Sequence, residues 1–346
     1  MYTKQPKKLL IMNILDILRR YSDEDHRLSQ KDIIEILQNE YNMAADRKAI
    51  KRNLMNLIDF GYNIEFSESI RRNKDGEEEI IYTDWYLVRD FSNAELRLLI
   101  DSLLFSKHIP YRQCRKLIEK IERLSNRYFK SKVRHVCNIP VDNPQNTELF
   151  YTIELLDEAI ERKRQIVFSY ADYGTDKKLH PRLRYNGEPI KYVVNPYQMV
   201  ATNGRYYLIS NVDRHDSISH FRLDRIRGIE VLDTPAKLQK KVVGLENGLD
   251  LPKHMAEHVY MFSGESQKVT MKTSPGMAGE LIDWFGNGVT FSDETDTSVT
   301  AHVTANLQAM RFWALQYAPY VTVLAPQSLV DTVKADLERA LEKYNF

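Results

Sequence analysis

Residues 46–66 read DRKAIKRNLMNLIDFGYNIEF, and this stretch decides the fold of the N-terminal part of the chain. Its apolar residues recur at helical spacing and fall on one side of a helical wheel: Ile50, Leu54, Leu57 and Ile58. Asp46 either opens this helix or lies in its first turn, and Gly61 follows the last periodic residue. The spacing therefore predicts an amphipathic helix that ends before Gly61 and packs one face on a core.

The other side of this helix is cationic. Its polar residues lie opposite the apolar face or at its edge: Arg47, Lys48, Lys51, Arg52 and the nearby Asn53. A helix that reads the major groove needs this arrangement, because Arg donates two hydrogen bonds to a guanine edge, Asn pairs with adenine and Lys neutralises phosphate. A solvated helix shows the same pattern, so the assignment to DNA depends on the elements around it.

Two helices precede this one, as the periodicity of residues 7–20 and 30–41 indicates. Ser29 can cap the second of them, with Asp32 in the place of the usual capping-box glutamate. Free N–H groups at such a helix end favour a phosphate. The residues expected to contact the DNA backbone there are Ser29, Gln30 and Lys31.

Two β-like runs follow, residues 62–66 and 80–88, joined by the charged segment RRNKDGEEE with its Asp75-Gly76 turn signal. Three helices and a hairpin are the order of a winged helix-turn-helix, which we assign to residues 1–90. The wing tip carries cations expected to reach a neighbouring backbone or minor groove: Arg71, Arg72 and Lys74. The helices, the turn spacing and the wing all agree with this fold. We therefore interpret the cationic face of the third helix as a surface for double-stranded DNA rather than as a face that is only solvated.

The remainder of the chain divides into three further regions. Residues 91–136 read as a helical linker that opens with a capping box and breaks near Pro110, and a proline- and asparagine-rich connection follows it at 137–146. Residues 147–233 contain a short helix and then a β-rich module. From 267 to 346 strands and helices alternate as in a ferredoxin-like domain. The predicted fold class is therefore α+β, with several domains.

The β-rich module is predicted to have four strands: IVFSY from Ile166, YVVNPYQMV from Tyr192, RYYLISNV from Arg205 and ISHFRLDRIRGIEVL from Ile218. Residues 171–192 are long for a loop between the first two of these strands. The geometry of any ligand site at that end of the module is therefore open.

Composition and charge exclude several classes of protein. The 346 residues carry a formal net charge of +1, distributed as +5 over residues 1–140, −1 over 141–235 and −3 over 236–346. A local basic field of this kind attracts a polyanion. No apolar run approaches the roughly 20 residues of a membrane span. The first residues also lack the pattern of a signal peptide, so we expect a cytoplasmic protein with no membrane partner.

We expect no catalysis, no cofactor and no metal site. None of the GxGxxG, GxxxxGK[ST], HExxH or GxSxG motifs occurs, and Cys114 and Cys137 lack a zinc-type spacing. His254 and His258 are four residues apart and could ligate a metal, but a third ligand is not evident. An exposed helix face is the simpler interpretation of that pair, and His220 shows no partner pattern.

Residues 149–232 resemble the WYL domain, an Sm-like small β-barrel. The resemblance is carried by Phe168-Ser169-Tyr170, by Asn195-Pro196-Tyr197, by Tyr206-Tyr207-Leu208 and by Phe221-Arg222-Leu223-Asp224-Arg225-Ile226. Tyr206 stands where the family's motif begins with Trp, and it keeps an aromatic face with less area. The winged helix, the helical linker and a C-terminal extension called WCX extend the resemblance to WYL-domain transcriptional regulators over nearly the whole chain.

This resemblance implies a module that binds nucleic acid or a nucleotide-like effector and thereby changes the DNA affinity of the winged helix. Aromatic rings interleaved with arginines suit such a ligand. The residues expected to bind the effector are Ser169, Tyr170, His180, Arg182, Tyr197, Tyr206, Tyr207, Arg222 and Arg225. Packing within the sheet is the competing interpretation for each tyrosine, and pairing of Asp224 with a neighbouring arginine is the competing role of that carboxylate.

Two hypotheses about function follow. The first is a homodimeric bacterial regulator that binds an inverted-repeat operator, of the kind that controls phage-defence or DNA-damage genes. The second is an accessory nucleic-acid-binding protein that modulates a partner effector enzyme and has no operator of its own. Replacing Lys48, Lys51 and Arg52 by alanine abolishes duplex binding under the first hypothesis and leaves partner activation intact under the second.

Overall fold

The computed structural model of the chain describes residues 6–72, 78–106, 109–129 and 148–344. The chain divides into two compact units, Met1–Asn143 and Pro144–Phe346. Lys74 of the wing tip, Cys137 and the predicted connection at 137–146 lie outside the described residues. Both units combine helices with sheets, which confirms the α+β multidomain class.

The first unit has the element order of a winged helix followed by linker helices. Its elements are a 3₁₀ turn (Lys7–Leu9), α1 (Leu10–Tyr21), α2 (Gln30–Tyr41), α3 (Arg47–Phe60), β1 (Ile64–Arg72), β2 (Glu78–Leu87), α4 (Asn93–Phe105) and α5 (Tyr111–Glu122). The strands β1 and β2 pair in antiparallel fashion. The three helices and the hairpin therefore confirm the predicted winged helix-turn-helix.

The winged helix is built around Trp85, which has no exposed surface. Leu28, between α1 and α2, exchanges two backbone hydrogen bonds of 2.9 and 2.8 Å with Trp85. This bridge adds a short third strand to the hairpin and fixes the wing against the helices. Ile14 and Leu54 are fully buried in the same core. Each such side chain contributes about 1.5–3 kcal/mol on burial. The burial of its apolar face therefore fixes which side of α3 faces the core and which side faces solvent.

The linker helices α4 and α5 form as the sequence predicts. Ser92 caps α4 in a capping box, and Pro110 is the N-cap residue immediately before α5. A small core holds the two helices together, because Ile118 and Ile121 of α5 pack against Leu96, Ile100 and Phe129. Cys114 is buried on α5, and burial raises the pKa of its thiol.

The second unit begins with α6 (Leu149–Glu161) and a six-stranded antiparallel sheet. The strands are β3 (Arg164–Tyr173), β4 (Leu179–Pro181), β5 (Lys191–Thr202), β6 (Arg205–Val212), β7 (Ile218–Arg222) and β8 (Ile226–Pro235). Their order is β8-β3-β5-β6-β7, with β4 paired to the end of β3. Among the described residues no ladder joins β7 to β8, so the predicted small barrel is an open sheet in its hydrogen bonding.

Two expectations for this sheet are wrong. The run that starts at Ile218 is not one strand, because a 3₁₀ turn at Leu223–Arg225 divides it into β7 and β8. That turn carries the chain from the edge of the sheet at β6 to the edge at β3, and Leu223 is buried there. The stretch 171–192 is not simply a long loop either, since β3 continues to Tyr173 and pairs with β4.

Each face of the sheet has its own cover. Leu156 of α6 packs with Phe168 of β3 on one face. On the other face Ile209 of β6 packs with Val242 and Leu245 of the connection that follows β8. This connection carries the short helix α7 (Leu251–Glu257).

The C-terminal part has the topology of a ferredoxin-like domain, as predicted. Its elements are β9 (Ser266–Thr273), α8 (Ala278–Phe285), β10 (Thr290–Ser292), β11 (Val299–Asn306), α9 (Leu307–Gln316), β12 (Val321–Ala325) and α10 (Gln327–Glu342). The antiparallel strand order is β10-β11-β9-β12, which is the βαββαβ arrangement with a helix added at the end. None of the described helices has the length and apolar character that crossing a membrane requires.

Candidate nucleic-acid interface and effector site

Helix α3 presents its cations on the side away from the core. Asp46 caps its first turn, and Gly61, at φ 111°, ends it. The exposed side carries Arg47, Lys48 and Arg52. Within the described part of the chain none of these three side chains forms an ion pair. Together with Lys51 they form a surface that we call the α3 basic face.

Two polar residues of α3 are engaged with their surroundings. The ammonium of Lys51 lies 3.9 Å from the centroid of the Tyr82 ring, a cation–π contact with the wing. The side-chain amide of Asn53 donates a hydrogen bond of 2.8 Å to the carbonyl of Ala49, one turn earlier. One of the two amide N–H groups of Asn53 is therefore used within the helix, which leaves its second N–H and its side-chain oxygen for the predicted adenine contact.

The start of α2 is a capping box, as the sequence predicts. Ser29 accepts a hydrogen bond from the Asp32 N–H, while its own N–H and hydroxyl both donate to the Asp32 carboxylate at 2.8 and 2.7 Å. The groups of Ser29 predicted to hold a phosphate are thus already used, and a carboxylate stands at the same helix end. For Gln30 and Lys31 the predicted backbone contact stays a prediction.

The wing tip is balanced in charge rather than purely basic. Arg72 lies opposite Glu78 in the hairpin ladder, and its guanidinium is 3.8 Å from that carboxylate. Arg71 lies opposite Glu79. Because Arg72 already lies near a carboxylate, a phosphate must compete with Glu78 for this cation.

In the WYL-like sheet the predicted effector residues converge on a carboxylate that the sequence did not single out. Asp172 accepts hydrogen bonds from Arg182 at 2.6 and 3.3 Å and from Arg225 at 2.9 Å. Hydrogen bonding from the Arg182 guanidinium holds the pKa of the Asp172 carboxyl below its usual range. These three residues, the Asp172 cluster, combine two cations with one anion, so one positive charge is left over.

Arg222 is near this cluster in sequence but is committed to a buried pair. Its guanidinium meets Asp224 through two hydrogen bonds of 3.1 and 2.7 Å, and the two side chains are only 16% and 7% exposed. The backbone N–H of Arg222 donates to the hydroxyl of Tyr170 at 3.0 Å. Pairing with Asp224, the competing interpretation in the sequence, is thus what the structure shows for Arg222.

The tyrosines predicted to stack on a ligand have different surroundings. Tyr170 is buried, which raises the pKa of its hydroxyl, and its ring lies 5.0 Å from the Arg182 guanidinium carbon. Tyr197 is buried against the connection after β8 and donates to the carbonyl of Lys237 at 3.0 Å; burial raises its pKa to about 12. Tyr206 and Tyr207 are half-buried and pack into the cores on opposite faces of the sheet.

The remaining predicted effector residues are not hydrogen-bonded to the Asp172 cluster among the described residues, although His180 lies opposite Asp172 in the pairing of β3 with β4. Ser169 is buried in β3, and His180 on β4 is exposed and hydrogen-bonded to Asp176 at 2.9 Å. The structure therefore brings together Tyr170, Arg182 and Arg225. Asp172 was missed, although it lies two residues after Tyr170 and hence on the same face of one strand, which was the available signal.

The expectation for His254 and His258 is wrong, because both are buried rather than on an exposed helix face. His220 of β7 lies beside them, and its ring nitrogen is 2.8 Å from that of His254. Burial lowers the pKa of His220 to about 3 and that of His254 to about 4. We call these three residues the histidine cluster. No sequence signal joins His220 to residues more than thirty positions later, since only the fold brings them together.

Comparison with known families assigns two domains of the second unit. Residues 151–231 match the model of the WYL domain, and residues 265–341 match the model of the WCX domain. No curated protein matches the chain significantly.

Solved structures give distant matches. One is proteasome accessory factor B/C (PafBC) of Arthrobacter aurescens, with 16% sequence identity and a TM-score of 0.30; the match covers 100% of this chain and 50% of that one. Another is described as a CRISPR Cas-related protein, with 14% identity and a TM-score of 0.37, covering 100% of this chain and 88% of the other. The chain thus spans half the length of the PafBC chain.

Proposed function

The chain belongs to the WYL-domain family, and on that basis we propose that it is a transcriptional regulator. It binds double-stranded DNA with its winged helix and senses a nucleic-acid or nucleotide-like effector with its WYL domain. It acts as a cytoplasmic homodimer on an inverted-repeat operator, with the two recognition helices about one turn of DNA apart, ~34 Å. In this proposal the chain has no catalytic activity of its own.

The DNA-binding part of the proposal is supported by the exposure and the lack of ion pairs of the α3 basic face. Its arginines and Lys48 are exposed, they form no ion pair within the described part of the chain, and they lie on a helix whose other side is fixed in the core. A cation without an ion-pair partner in the protein breaks no such pair when it approaches a phosphate, and it gains from counterion release. The third helix of a winged helix is also the element that enters the major groove.

The effector part is supported by the Asp172 cluster. Arg182 and Asp172 are each nearly half exposed, so the pair is reachable from solvent. The cluster has one positive charge in excess, which suits a phosphate that shares the two arginines with Asp172. The ring of Tyr173, 5.7 Å from the Arg225 guanidinium carbon, adds an aromatic surface of the kind that a base stacks on.

The proposal is tested by selecting genomic DNA fragments on the full chain, with and without short single-stranded oligonucleotides. The variant K48A/K51A/R52A removes three cations of the α3 basic face. The control K272A/K334A/K343A removes three exposed cations of the C-terminal domain and so matches the change in charge. We expect the first variant to lose duplex affinity on the order of a hundredfold or more and the control to keep it, because groove contacts are local.

The same variants separate the regulator from the accessory protein that the sequence left as an alternative. If K48A/K51A/R52A selects the same fragments as the wild type, the chain does not read DNA through α3 and the regulator proposal is wrong. If oligonucleotides leave fragment selection unchanged while duplex binding persists, the winged-helix part stands and the sensing part is wrong.

A further inference from the structure

A cavity of about 570 Å³ lies in the first unit, where the winged helix meets the linker helices. The winged helix contributes Arg19 of α1 and Tyr62, which follows the end of α3. The linker contributes Phe91, shortly before α4, and Arg123 and Leu124 at the end of α5. We call this space the junction cavity. None of its lining residues belongs to the α3 basic face or to the Asp172 cluster.

Three arginines give the junction cavity an excess of positive charge. Arg19, Arg89 and Arg123 line it together with one carboxylate, that of Asp90. Arg19, Arg123 and Asp90 are exposed, and among the residues that the structure describes none of the three arginines forms an ion pair. Three guanidinium groups against one carboxylate leave two positive charges around the cavity, which favours an anionic ligand.

Arg89 is the arginine at the centre of the junction, and its partners are uncharged. Its guanidinium donates hydrogen bonds to the hydroxyl of Ser125 at 2.9 Å and to the carbonyls of Arg19 and Ser22 at 3.3 and 2.5 Å. These bonds link the segment after β2 to the end of α1 and to the linker. Burial lowers the pKa of the Arg89 guanidinium. An anion in the cavity would therefore meet a cation whose charge the protein compensates only in part.

The junction cavity also has an apolar and aromatic side. Phe91 and Leu124 line it although they are 43% and 55% exposed. The ring centroid of Tyr62 lies 5.7 Å from the guanidinium carbon of Arg19. Aromatic rings beside arginines suit a ligand that has both a planar base and a phosphate. The volume falls within the roughly 300–1,000 Å³ that small-molecule sites occupy, so one nucleotide has room.

We propose that the junction cavity binds a mononucleotide, with its phosphate on Arg19, Arg89 and Arg123 and its base against Phe91 and Tyr62. A ligand in this place contacts the winged helix and the linker at once, so it fixes one against the other. The cavity reaches the end of α3, so the ligand also stabilises the helix that carries the α3 basic face. This binding requires neither duplex DNA nor an effector in the WYL domain.

The test titrates the full chain with each of the four ribonucleoside 5′-monophosphates, with inorganic phosphate and with adenosine. Calorimetry gives the affinity and the number of sites, and thermal unfolding gives Tm. We expect at least one nucleotide to bind with a Kd below about 1 mM and to raise Tm. Phosphate and adenosine should each bind at least about tenfold more weakly, because each makes only part of the contacts.

The variant R19A/R123A removes the two exposed arginines of the cavity and leaves Arg89 with its structural bonds. It should lower nucleotide affinity by roughly tenfold or more, since two charge-assisted contacts are lost. R112A/R115A is the matched control, because it removes two exposed arginines of α5 that do not line the cavity. R182A, in the Asp172 cluster, should leave this binding unchanged.

The proposal is wrong if none of the four nucleotides binds the folded wild type in that range. It is also wrong if R19A/R123A keeps the wild-type affinity and number of sites, if R112A/R115A loses as much, or if only R182A abolishes binding. Equal affinities for phosphate and for the best nucleotide would contradict a role for the aromatic side. Circular dichroism checks the fold of R19A/R123A, and the single variants R19A and R123A replace it if it does not fold.

Duplex affinity of the same variants separates a free nucleotide from the phosphates of DNA. We expect R19A/R123A and R112A/R115A to bind duplex DNA equally well. If no nucleotide binds and R19A/R123A alone weakens duplex binding, these arginines contact the DNA backbone and the mononucleotide site is refuted.

Discussion

The α3 basic face and the Asp172 cluster are both built from basic side chains, but they hold their charge differently. On α3 the arginines and Lys48 are exposed and form no ion pair within the described part of the chain. In the WYL sheet Arg182 and Arg225 share one carboxylate, and Arg222 is paired with another in the interior. The comparison teaches that the number of basic side chains does not by itself measure how well a surface binds a polyanion. What matters is whether carboxylates of the protein already neutralise those side chains.

The Arg222–Asp224 pair gives the largest expected effect on stability. D224A leaves a guanidinium largely buried without its partner, so we expect a loss of about 3–5 kcal/mol in the free energy of unfolding. The control E158A removes the carboxylate of the exposed Arg162–Glu158 pair and should cost about 0.3–0.5 kcal/mol. Urea unfolding of both variants measures the difference.

The double variant R222M/D224L sharpens that prediction. If the pair is buried and self-contained, removing both charges should cost clearly less than removing Asp224 alone, since no unpaired charge remains. Equal losses in D224A and E158A would show that Arg222 is solvated, and it would then count with the cations available to a ligand.

Arg52 and Arg72 test the comparison within the winged helix. Arg52 is exposed without an ion-pair partner among the described residues, while Arg72 already faces Glu78. We expect R52A to weaken duplex binding by roughly tenfold or more, as loss of a groove-reading arginine does, and R72A by less than about twofold. Fluorescence anisotropy at fixed salt measures both, and a larger effect of R72A would move the main DNA contact from α3 to the wing.

A substitution of Asp172 tests whether this carboxylate limits the affinity of Arg182 and Arg225 for a nucleic-acid effector. D172N frees Arg182 and Arg225, so affinity for a short single-stranded oligonucleotide should rise by roughly fivefold and the salt slope by about one phosphate contact. D216N removes the same charge from an exposed position of the same domain and is the control. Unchanged or weaker binding by D172N would mean that these arginines do not face the effector.

The smallest effect is expected at Tyr170. Its hydroxyl accepts the backbone N–H of Arg222, so Y170F leaves that donor without its partner and should cost about 0.5–1.5 kcal/mol of stability. Thermal unfolding with and without a bound oligonucleotide separates this structural role from stacking, because Phe keeps the ring. A loss of oligonucleotide affinity with unchanged stability would contradict the structural role.

The sequence predicts the winged helix and the C-terminal domain well because their signals are local. The periodicity of Ile50, Leu54 and Leu57 and the glycine at 61 define α3 as the structure has it, and Ser29 caps α2 as expected. Helical period, caps and turn residues act within a few positions of each other, so they can be read without knowing the fold.

The parts that sequence reasoning missed depend on contacts between distant residues. Asp172 becomes a partner of Arg182 only because β3 and β4 pair, and His220 meets His254 only because the connection after β8 returns to the sheet. The turn at Leu223–Arg225 was missed because the run around it is continuously β-like, and only the position of β8 beside β3 requires a break.

The central claim is that the α3 basic face binds duplex DNA, and the dependence of binding on salt tests it most directly. Duplex association constants for the wild type and for K48A/K51A/R52A are measured from about 50 to 200 mM salt, a range in which phosphate contacts dominate. The account predicts a steep linear fall of log K with log salt for the wild type and a slope smaller by about three in the variant. Equal slopes, or no salt-sensitive duplex binding by the wild type at ~100 mM salt, would contradict it.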